Sequence, residues 1–280
     1  MPAMNAAATP YESIAIERSG AIAEVILKGP GKGNAVGPAF FRELPEVFDA
    51  LDRDDDVRAV VLRGNQGTFT YGLDLKAVAP VLMPLLGAEN LARERTHLLR
   101  LIGEWQRAAD SVERCVKPVI AAIAGPCIGA GIDLAAACDV RLASRDARFS
   151  VREVKVAIVA DLGSLQRLPR IIGHGPTREL ALTGKDIDAA RALRIGLVND
   201  VYDDEASLLD AARSMAREIA ENPPLVVQGV KQVLNHNDAR HVLEGERFSA
   251  VWNAAFLASG DLLEAMTAFM EKRAPRFQGR

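Results

Sequence analysis

The chain has 280 residues, of which 49% are hydrophobic and 25% are charged, and its formal net charge is −3. This composition is typical of a globular protein, and so small a net charge excludes a global attraction to nucleic acid or to an anionic membrane. No apolar run in the sequence approaches the length of a membrane span. The sequence therefore predicts neither nucleic acid nor a membrane as a partner.

The predicted compartment depends on the cysteines and on the two ends of the chain. Cys115, Cys127 and Cys138 are odd in number and lack the spacing of metal ligands, which predicts reduced thiols rather than a disulfide framework. Residues 1–10 lack the basic and apolar regions of a signal peptide and are predicted to be a flexible tail. The last residues do not match a peroxisomal targeting signal. We therefore expect a cytoplasmic protein without a bound metal.

The first part of the chain alternates strand patterns with a helix pattern. Apolar residues predict strands at 13–17 and 22–27, which a turn joins into a hairpin. Helically spaced apolar residues then predict a helix at 38–53, and a buried strand follows at 57–62. The glycine-rich loop 28–34 carries two lysines but lacks the Walker pattern, so a phosphate cradle and an ordinary connection both remain open.

The middle of the chain begins with an apolar segment that contains two prolines. Pro80 and Pro84 predict that residues 76–88 are irregular, because proline removes a helical hydrogen bond. A long helix is predicted at 89–114 and a buried strand at 119–124.

The last third of the chain is predicted to be mainly helical. Asp188 begins a short helix that Gly196 ends, and a last strand is expected at 197–201. Further helices follow, with breaks at 222–224 and at 259–260. These helices carry more apolar surface than two helices packed only on each other could bury. This region therefore either packs on the core or forms an oligomer interface.

Three carboxylates occupy positions where neutral residues are expected: Asp133 at a helix start, Glu153 after a short strand, and Asp161 within an apolar run. A buried carboxylate is costly unless it is paired, hydrogen-bonded or functional, so the cluster predicts acid/base chemistry. Two structural alternatives remain open. The helix dipole would also stabilise Asp133. An ion pair with Arg152 or Lys155 would also account for Glu153.

Two glycine loops precede helix-like segments, at Gly72 and at Gly131. In such loops two backbone N–H groups can hydrogen-bond a thioester or ester oxygen as negative charge develops on it. A helix that begins at Gly131 adds the positive end of its dipole. Together with nearby carboxylates, these loops predict proton transfer at a carbon next to a carbonyl group.

Several motifs carry a family resemblance. The segment Phe-Thr-Tyr-Gly-Leu-Asp-Leu at 69–75 and the segment Ala-Gly-Pro-Cys-Ile-Gly-Ala-Gly-Ile-Asp-Leu at 124–134 resemble the two oxyanion loops of the enoyl-CoA hydratase/isomerase (crotonase) superfamily. Asn34-Ala35, the segment 165–169 and the segment 269–277 extend the resemblance over nearly the whole chain. In its three acids the chain resembles the Δ(3,5)-Δ(2,4)-dienoyl-CoA isomerases, because ordinary hydratases have a glutamate at the first position and glycines around the third.

This resemblance implies an α/β fold in which residues 11–201 form a crotonase-like spiral of repeated β-β-α units. It implies that residues 202–280 form a helical region that builds homotrimers or homohexamers. The implied reaction shifts a 3,5-dienoyl-CoA to a 2,4-dienoyl-CoA in fatty-acid β-oxidation, with coenzyme A as part of the acyl-CoA substrate and no separate cofactor. A 2-enoyl-CoA hydratase and a non-catalytic acyl-CoA-binding protein are the alternatives.

The resemblance also implies roles for individual residues. Glu153 would exchange a proton with C2 of the substrate, Asp161 would exchange one with C6, and Asp133 would be auxiliary. The thioester oxygen would lie between the N–H groups of Leu73 and Ala130, where Ala130 replaces the usual glycine. The residues implied to contact the substrate or its coenzyme A are Lys28, Lys32, Tyr71, Gly72, Asp74, Leu75, Lys76 and Gly129.

Overall fold

The computed structural model describes residues 11–29, 33–86, 91–236 and 239–279, which form two β-sheets surrounded by helices. The strands are β1 (Ile14–Ser19), β2 (Ile22–Leu27), β3 (Ala59–Arg63), β4 (Val119–Ile123), β5 (Pro126–Ile128), β6 (Val140–Ser144), β7 (Arg148–Ser150), β8 (Ile187–Asp188) and β9 (Asp200–Tyr202). The helices are α1 (Pro38–Asp52), α2 (Leu75–Leu86), α3 (Leu91–Arg114), α4 (Ala130–Ala137), α5 (Ser164–Ile172), α6 (His174–Thr183), α7 (Ala189–Arg194), α8 (Glu205–Glu221), α9 (Pro224–His236), α10 (Ala239–Phe256) and α11 (Gly260–Glu271). A 3₁₀ helix, Glu153–Val156, follows β7.

The larger sheet has six strands in the order β1-β2-β3-β4-β6-β9. β1 and β2 form the predicted antiparallel hairpin, and the other neighbours are parallel. The smaller sheet has the order β5-β7-β8. The chain passes from the larger sheet to the smaller sheet and then into a helix in two successive units, β4-β5-α4 and β6-β7-α5. These units confirm the predicted β-β-α repeat.

The core lies on both faces of the larger sheet. Strands β2 and β4 are buried along their whole length, as expected for parallel strands covered on both sides. On one face Leu44 of α1, Val112 of α3 and Leu134 of α4 share a core with the strands. On the other face α8 covers the strands through Leu208 and its apolar neighbours. α8 therefore packs as part of the sheet body, although it lies in the C-terminal region.

Helix α2 differs from the sequence prediction, which expected an irregular segment at 76–88. Pro80 and Pro84 lie inside this helix, four residues apart, and both are exposed on its outer side. Val78 and Leu82 are buried in a cluster with residues of α3 and α11. The prediction was wrong because burial of this apolar face outweighs the hydrogen bonds that the prolines remove.

The short helix α7 has the predicted cap, since the Asp188 carboxylate accepts a hydrogen bond from the Arg191 N–H at 2.8 Å. The strand after it begins later than predicted. Leu197 and Val198 are buried in the core shared with the helices but do not pair with the sheet. The strand β9 begins only at Asp200.

Helices α9, α10 and α11 expose many large apolar side chains, which we call the α9–α11 face. Its members include Leu225, Val226, Val230, Val233, Leu234, Phe248, Phe256, Phe269 and Met270. Ser259 caps α11 at the predicted break by accepting a hydrogen bond from the Leu262 N–H at 3.1 Å. No helix in the described part of the chain is both long and apolar enough to cross a bilayer.

Candidate active site

The two glycine loops predicted from the sequence lie side by side. The Phe69 N–H donates to the Ala124 carbonyl at 2.8 Å, and the Thr70 N–H donates to the Pro126 carbonyl at 2.9 Å. The Ile128 N–H donates back to the Thr70 carbonyl at 3.1 Å. The first loop is thus hydrogen-bonded to β5 as a neighbouring strand would be. This pairing places Gly72, which follows the first loop's bonded residues, next to Ala130, which follows β5.

Gly72 brings the two backbones into close contact. Its φ is +83°, and a Cβ placed on it would lie 2.5 Å from the Ile128 carbonyl oxygen and 3.4 Å from the Ala130 nitrogen. Any larger residue would therefore fill the space in front of the Ala130 N–H. Ala130 is the first residue of α4, where N–H groups have no acceptor within the helix and the dipole is positive.

The predicted oxyanion donors, Leu73 and Ala130, both line the main cavity. Within the described part of the chain, neither of their N–H groups has a hydrogen-bond acceptor. Two unpaired donors on one wall match the requirement for stabilising a developing oxyanion.

Asn34 holds the first loop in this position. Its side-chain Nδ2 donates to the carbonyl oxygens of Thr68 at 2.6 Å and Asn65 at 3.1 Å. Its own carbonyl accepts a hydrogen bond from the Thr70 hydroxyl at 2.7 Å. Asn34 is buried and has a φ of +52°. The sequence marked this position only as a family landmark, whereas the structure shows that Asn34 makes four contacts with the loop, including one from Nδ2 to the Phe69 carbonyl at 3.4 Å.

The cavity in front of the loops has a volume of about 940 Å³. Much of its wall is apolar, and this part includes Leu82, Leu98, Ile102, Trp105, Ile158 and Leu257. The Trp105 ring stacks on Phe41, with ring centroids 4.6 Å apart, and this fixes one side of the wall. Two of the three predicted acids, Glu153 and Asp161, line this cavity. The fold therefore places two carboxylates and the two N–H donors around the same cavity.

Asp133 lies behind the cavity wall rather than on it. It is only 1% exposed, and its Oδ1 accepts a hydrogen bond from the Ser164 N–H at 2.6 Å. Its Oδ2 is buried and has no partner among the described residues. Burial raises the pKa of Asp133 to about 6, and the hydrogen bond from the Ser164 N–H and the charge of Arg167 oppose this rise. Asp133 is therefore not a simple helix-dipole carboxylate, because it is completely buried with one oxygen unpaired.

Glu153 begins the 3₁₀ helix, and a Cβ placed on Gly129 would lie 3.3 Å from its Oε1. Its Oε2 is buried without a partner in the described chain. Among the described residues, neither Arg152 nor Lys155 forms the alternative ion pair with Glu153, and Arg152 pairs with Asp186 instead. Burial, followed by the charges of Asp133 and Asp161, raises the pKa of Glu153 to about 8.

Asp161 follows the 3₁₀ helix and precedes α5. Its Oδ2 accepts a hydrogen bond from Asn253 Nδ2 at 2.6 Å. Burial raises the pKa of Asp161 to about 7, the Asn253 hydrogen bond opposes this rise, and the charge of Asp133 adds to it. Burial and mutual repulsion thus keep the three acids from all being ionised near neutral pH, so they retain a proton that can be transferred.

The structure separates the predicted substrate-contact residues into groups. Those that line the cavity are Tyr71, Asp74, Leu75, Lys76 and Gly129. Gly72 does not line the cavity, and it contacts the second loop through its backbone. Lys28 is exposed and does not line the cavity, whereas Lys32 lies outside the described residues.

Three cations on the cavity wall were missed by sequence reasoning: Arg148, Arg152 and Lys155. They lie on β7 or just after it, in the same stretch as Glu153, but no motif marks them. Only the pairing of β7 with β5 brings this stretch next to the glycine loops.

The family sequence model described as enoyl-CoA hydratase/isomerase matches residues 17–280. The chain belongs to the enoyl-CoA hydratase/isomerase family. A mitochondrial Δ(3,5)-Δ(2,4)-dienoyl-CoA isomerase of Dictyostelium discoideum is 44% identical over 274 residues, which are 96% of this chain and 92% of that protein. A peroxisomal enzyme of the same name from Arabidopsis thaliana is 40% identical over 270 residues, 95% of this chain and 97% of that protein.

The crystal structure of an enoyl-CoA hydratase/isomerase from Pseudoalteromonas atlantica T6c has a TM-score of 0.81 at 28% identity, covering 95% of this chain and 100% of that one. This match confirms the crotonase-like fold of this family member. The relatives also confirm the resemblance to dienoyl-CoA isomerases that the three acids indicated.

The expectation of a cytoplasmic location is wrong. The relative from Dictyostelium is named mitochondrial and the one from Arabidopsis peroxisomal. Reduced cysteines argue against an oxidising compartment, but they do not distinguish the cytoplasm from other reducing compartments. Targeting signals are addresses read by receptors, so the composition of a folded domain does not reveal them.

Proposed function

We propose that this protein is an acyl-CoA isomerase that converts 3,5-dienoyl-CoA to 2,4-dienoyl-CoA in fatty-acid metabolism. The observation that carries the proposal is the placement of Glu153 and Asp161 on one cavity together with two unpaired backbone donors. Two separate acid/base groups suit a reaction that removes a proton from one carbon and adds a proton to another. The dienoyl-CoA isomerases at 40–44% identity support this reading.

The thioester oxygen would accept hydrogen bonds from the N–H groups of Leu73 and Ala130. Loss of the C2 proton places negative charge on this oxygen, and the α4 dipole stabilises that charge further. Removing one such donor typically costs about 3 kcal/mol of transition-state stabilisation. The close approach of the two backbones at Gly72 holds the Leu73 and Ala130 N–H groups near each other, so that both can donate to one oxygen.

In the proposed reaction the substrate loses one proton at C2 and gains one at C6. Glu153 takes the proton from C2, and the electron pair of the broken C2–H bond moves along the conjugated chain. Asp161 then gives its proton to C6. The double bonds move from C3=C4 and C5=C6 to C2=C3 and C4=C5, and one proton has passed from Asp161 to Glu153. Exchange between the acids or with solvent restores the starting state.

The protonation states of the two acids bear on these roles. Burial and the neighbouring acids raise the pKa of both Glu153 and Asp161, so either group can hold a proton near neutral pH. Our assignment needs Asp161 protonated and Glu153 ionised when the substrate binds. The reversed assignment, with Asp161 acting at C2, needs the opposite. Deuterium exchange at C2 in the Glu153→Gln and Asp161→Asn variants distinguishes the two, because the variant that lacks the C2 base loses the exchange.

The cavity wall supports an acyl-CoA substrate without a separate cofactor. Its apolar part suits an acyl chain, and its cations, Lys76, Arg148 and Lys155, suit the phosphates of coenzyme A. The proposed reaction is a proton transfer with no change of oxidation state, so coenzyme A enters only as part of the substrate.

The α9–α11 face supports a homotrimer or homohexamer. Its large side chains, such as Phe248 and Leu225, are more than half exposed in the single chain. Many large exposed apolar side chains on neighbouring helices of the chain are typical of an interface with another protein. A second copy of this chain is the partner that we propose.

The proposal is tested by incubating the protein with a 3,5-dienoyl-CoA and following the near-UV absorbance of the conjugated product. We expect turnover by the wild type and its loss in Asp161→Asn. Asp210→Asn makes the same chemical change on the exposed side of α8 and should keep full activity. Absence of turnover by the wild type, or equal turnover by Asp161→Asn, would contradict the proposal. Hydration of crotonyl-CoA that requires Glu153 but not Asp161 would favour a hydratase instead.

A further inference from the structure

Helix α10 turns one face toward the core, and several polar residues lie on that face. Val242 and Ala250 are buried there together with the polar residues Glu246, Ser249 and Asn253, and Asn253 is only 2% exposed. Burial of an amide costs free energy unless its donors and acceptor are hydrogen-bonded. The complete burial of Asn253 therefore requires specific partners.

Those partners lie in the segment 159–161, far away in the sequence. Asn253 Nδ2 donates to the Val159 carbonyl at 2.8 Å and to Asp161 Oδ2 at 2.6 Å. Asn253 Oδ1 accepts a hydrogen bond from the Val159 N–H at 3.3 Å. Because Val159 offers both an acceptor and a donor, it determines which end of the amide is the nitrogen. Asp161 Oδ2 therefore faces the amide nitrogen of Asn253, which is a donor, and not the amide oxygen.

This donor makes the two oxygens of Asp161 unequal. An amide N–H donates and cannot accept, so a proton on the Asp161 carboxyl is best placed on Oδ1, the oxygen that Asn253 does not contact. When Asp161 loses this proton, the hydrogen bond to Oδ2 becomes charge-assisted and stabilises the anion. Asn253 does not line the cavity, so its effect on a substrate must pass through Asp161.

We propose that Asn253 is a positioning residue, which orients the Asp161 carboxyl and directs its exchangeable proton onto Oδ1. This inference builds on the proposed function, because it takes Asp161 as an acid/base group of the isomerisation. It applies to either assignment of C2 and C6, since Asp161 alternates between its neutral and its charged form in both.

Other charged groups also surround Asp161. Asp133 on α4 and Glu153 on the 3₁₀ helix are acids, and repulsion between them and Asp161 disfavours its ionisation. The nearby cation, Arg167 of α5, is already paired with acids of α3 and α10. These acids are Asp110, Glu113 and Glu246. Within the described chain, Asn253 is thus the side-chain donor to the Asp161 carboxylate, whereas Gln106 Nε2 donates to the Asp161 backbone carbonyl at 2.7 Å.

The test compares wild type with Asn253→Leu, which keeps the approximate size but removes the donor, and with Asn253→Ser, which is smaller and polar. We expect kcat for 3,5-dienoyl-CoA to fall about 10- to 100-fold with KM unchanged, as for loss of a hydrogen bond to a charged group. In D₂O, hydrogen exchange should slow at the carbon that Asp161 serves, C6 in our assignment, and stay at the wild-type rate at the other carbon.

A second measurement does not depend on turnover. Infrared difference spectra between wild type and Asp161→Asn isolate the protonated-carboxyl band of Asp161, and its pH titration gives the ionisation of this group directly. The same spectra are taken for Asn253→Leu against Asn253→Leu/Asp161→Asn. We expect the titration to move to higher pH in the Asn253→Leu background, because the donor that stabilises the anion is gone.

Ser249→Ala is the matched control. Ser249 is buried one turn earlier on α10, and its hydroxyl accepts a hydrogen bond from Gln166 Nε2 at 3.0 Å. This variant therefore removes a buried contact between α10 and α5 without touching Asp161. We expect a lower free energy of unfolding, but an unchanged Asp161 titration and equal exchange at both carbons relative to wild type.

The outcomes separate the two hypotheses. If the wild type does not isomerise a 3,5-dienoyl-CoA, the proposed function fails, and the infrared titration alone decides whether Asn253 controls Asp161. If the wild type is active and both Asn253 variants keep its kcat and its titration, the positioning role is overturned. Equal slowing of exchange at C2 and C6 would also overturn it, because that result indicates a general loss of structure.

Discussion

Replacing Glu153 by glutamine should make the protein more stable near and above neutral pH while removing its activity. Burial, followed by the charge of Asp133, raises the pKa of Glu153 from 4.5 to about 8. The native state thus holds a proton that the unfolded chain releases at lower pH. The free energy of unfolding therefore falls as pH rises from 4.5 toward 8. Glutamine has nearly the size of the protonated acid and cannot ionise, so this fall is absent in the variant.

The magnitude follows from these two pKa values. Each pH unit between them lowers the unfolding free energy of the wild type by about 1.36 kcal/mol, which amounts to about 3 kcal/mol at pH 7. This figure counts the ionisation of Glu153 alone, because Asp133 and Asp161 are present in both proteins. Below the unfolded pKa, near about pH 4, the acid is neutral in both states and the two proteins should be equally stable.

The assay is urea unfolding at one protein concentration, repeated at pH values from about 5 to about 8. Glu218→Gln is the control, because it removes an exposed carboxylate of α8 and should follow the wild type at each pH. If Glu153→Gln loses stability in parallel with the wild type over this range, Glu153 is not a buried neutral acid. The assignment of a retained proton to this cavity would then be refuted.

Three further predictions concern the loops and the surface. Gly72→Ala should lower kcat about 100-fold or more, because its Cβ would crowd the Ala130 N–H; steady-state kinetics with a normal kcat would contradict this. Asn34→Ala should lower the free energy of unfolding by about 1 to 3 kcal/mol, because loop carbonyls lose their donor; unchanged urea unfolding would exclude this role. Leu225→Glu with Val233→Glu should dissociate the proposed oligomer, and light scattering that gives the wild-type mass would rule out this face as the interface.

Much of the secondary structure could be predicted from local periodicity, and α2 shows the limit of that method. The helices α1 and α3 have strong apolar stripes, and the structure places each within a few residues of its predicted range. Pro80 and Pro84 argued against α2 on local grounds alone. The helix forms because its buried face meets helices that are distant in sequence, which no local rule includes.

The candidate site was predicted in its main groups but not in its supports. Asp133, Glu153 and Asp161 are conspicuous because charged residues in apolar surroundings are rare. The asparagines that hold the site, Asn34 and Asn253, have no such signal, because an asparagine in a loop or a helix is unremarkable until its partners are known. Arg148, Arg152 and Lys155 were missed for a similar reason, because a cation near a strand is unremarkable until the fold places it on a cavity wall.

The sequence by itself determined which chemical groups are available: three acids, two glycine loops and the family to which they belong. These features depend on residue type and short spacing, which can be read along the chain. Only the tertiary structure decided how the acids differ, with Asp133 buried behind the wall, Glu153 left with an unpaired oxygen and Asp161 hydrogen-bonded to Asn253. The physical reason is that burial and hydrogen bonding control acidity, and the donor to Asp161 lies 92 residues away in sequence.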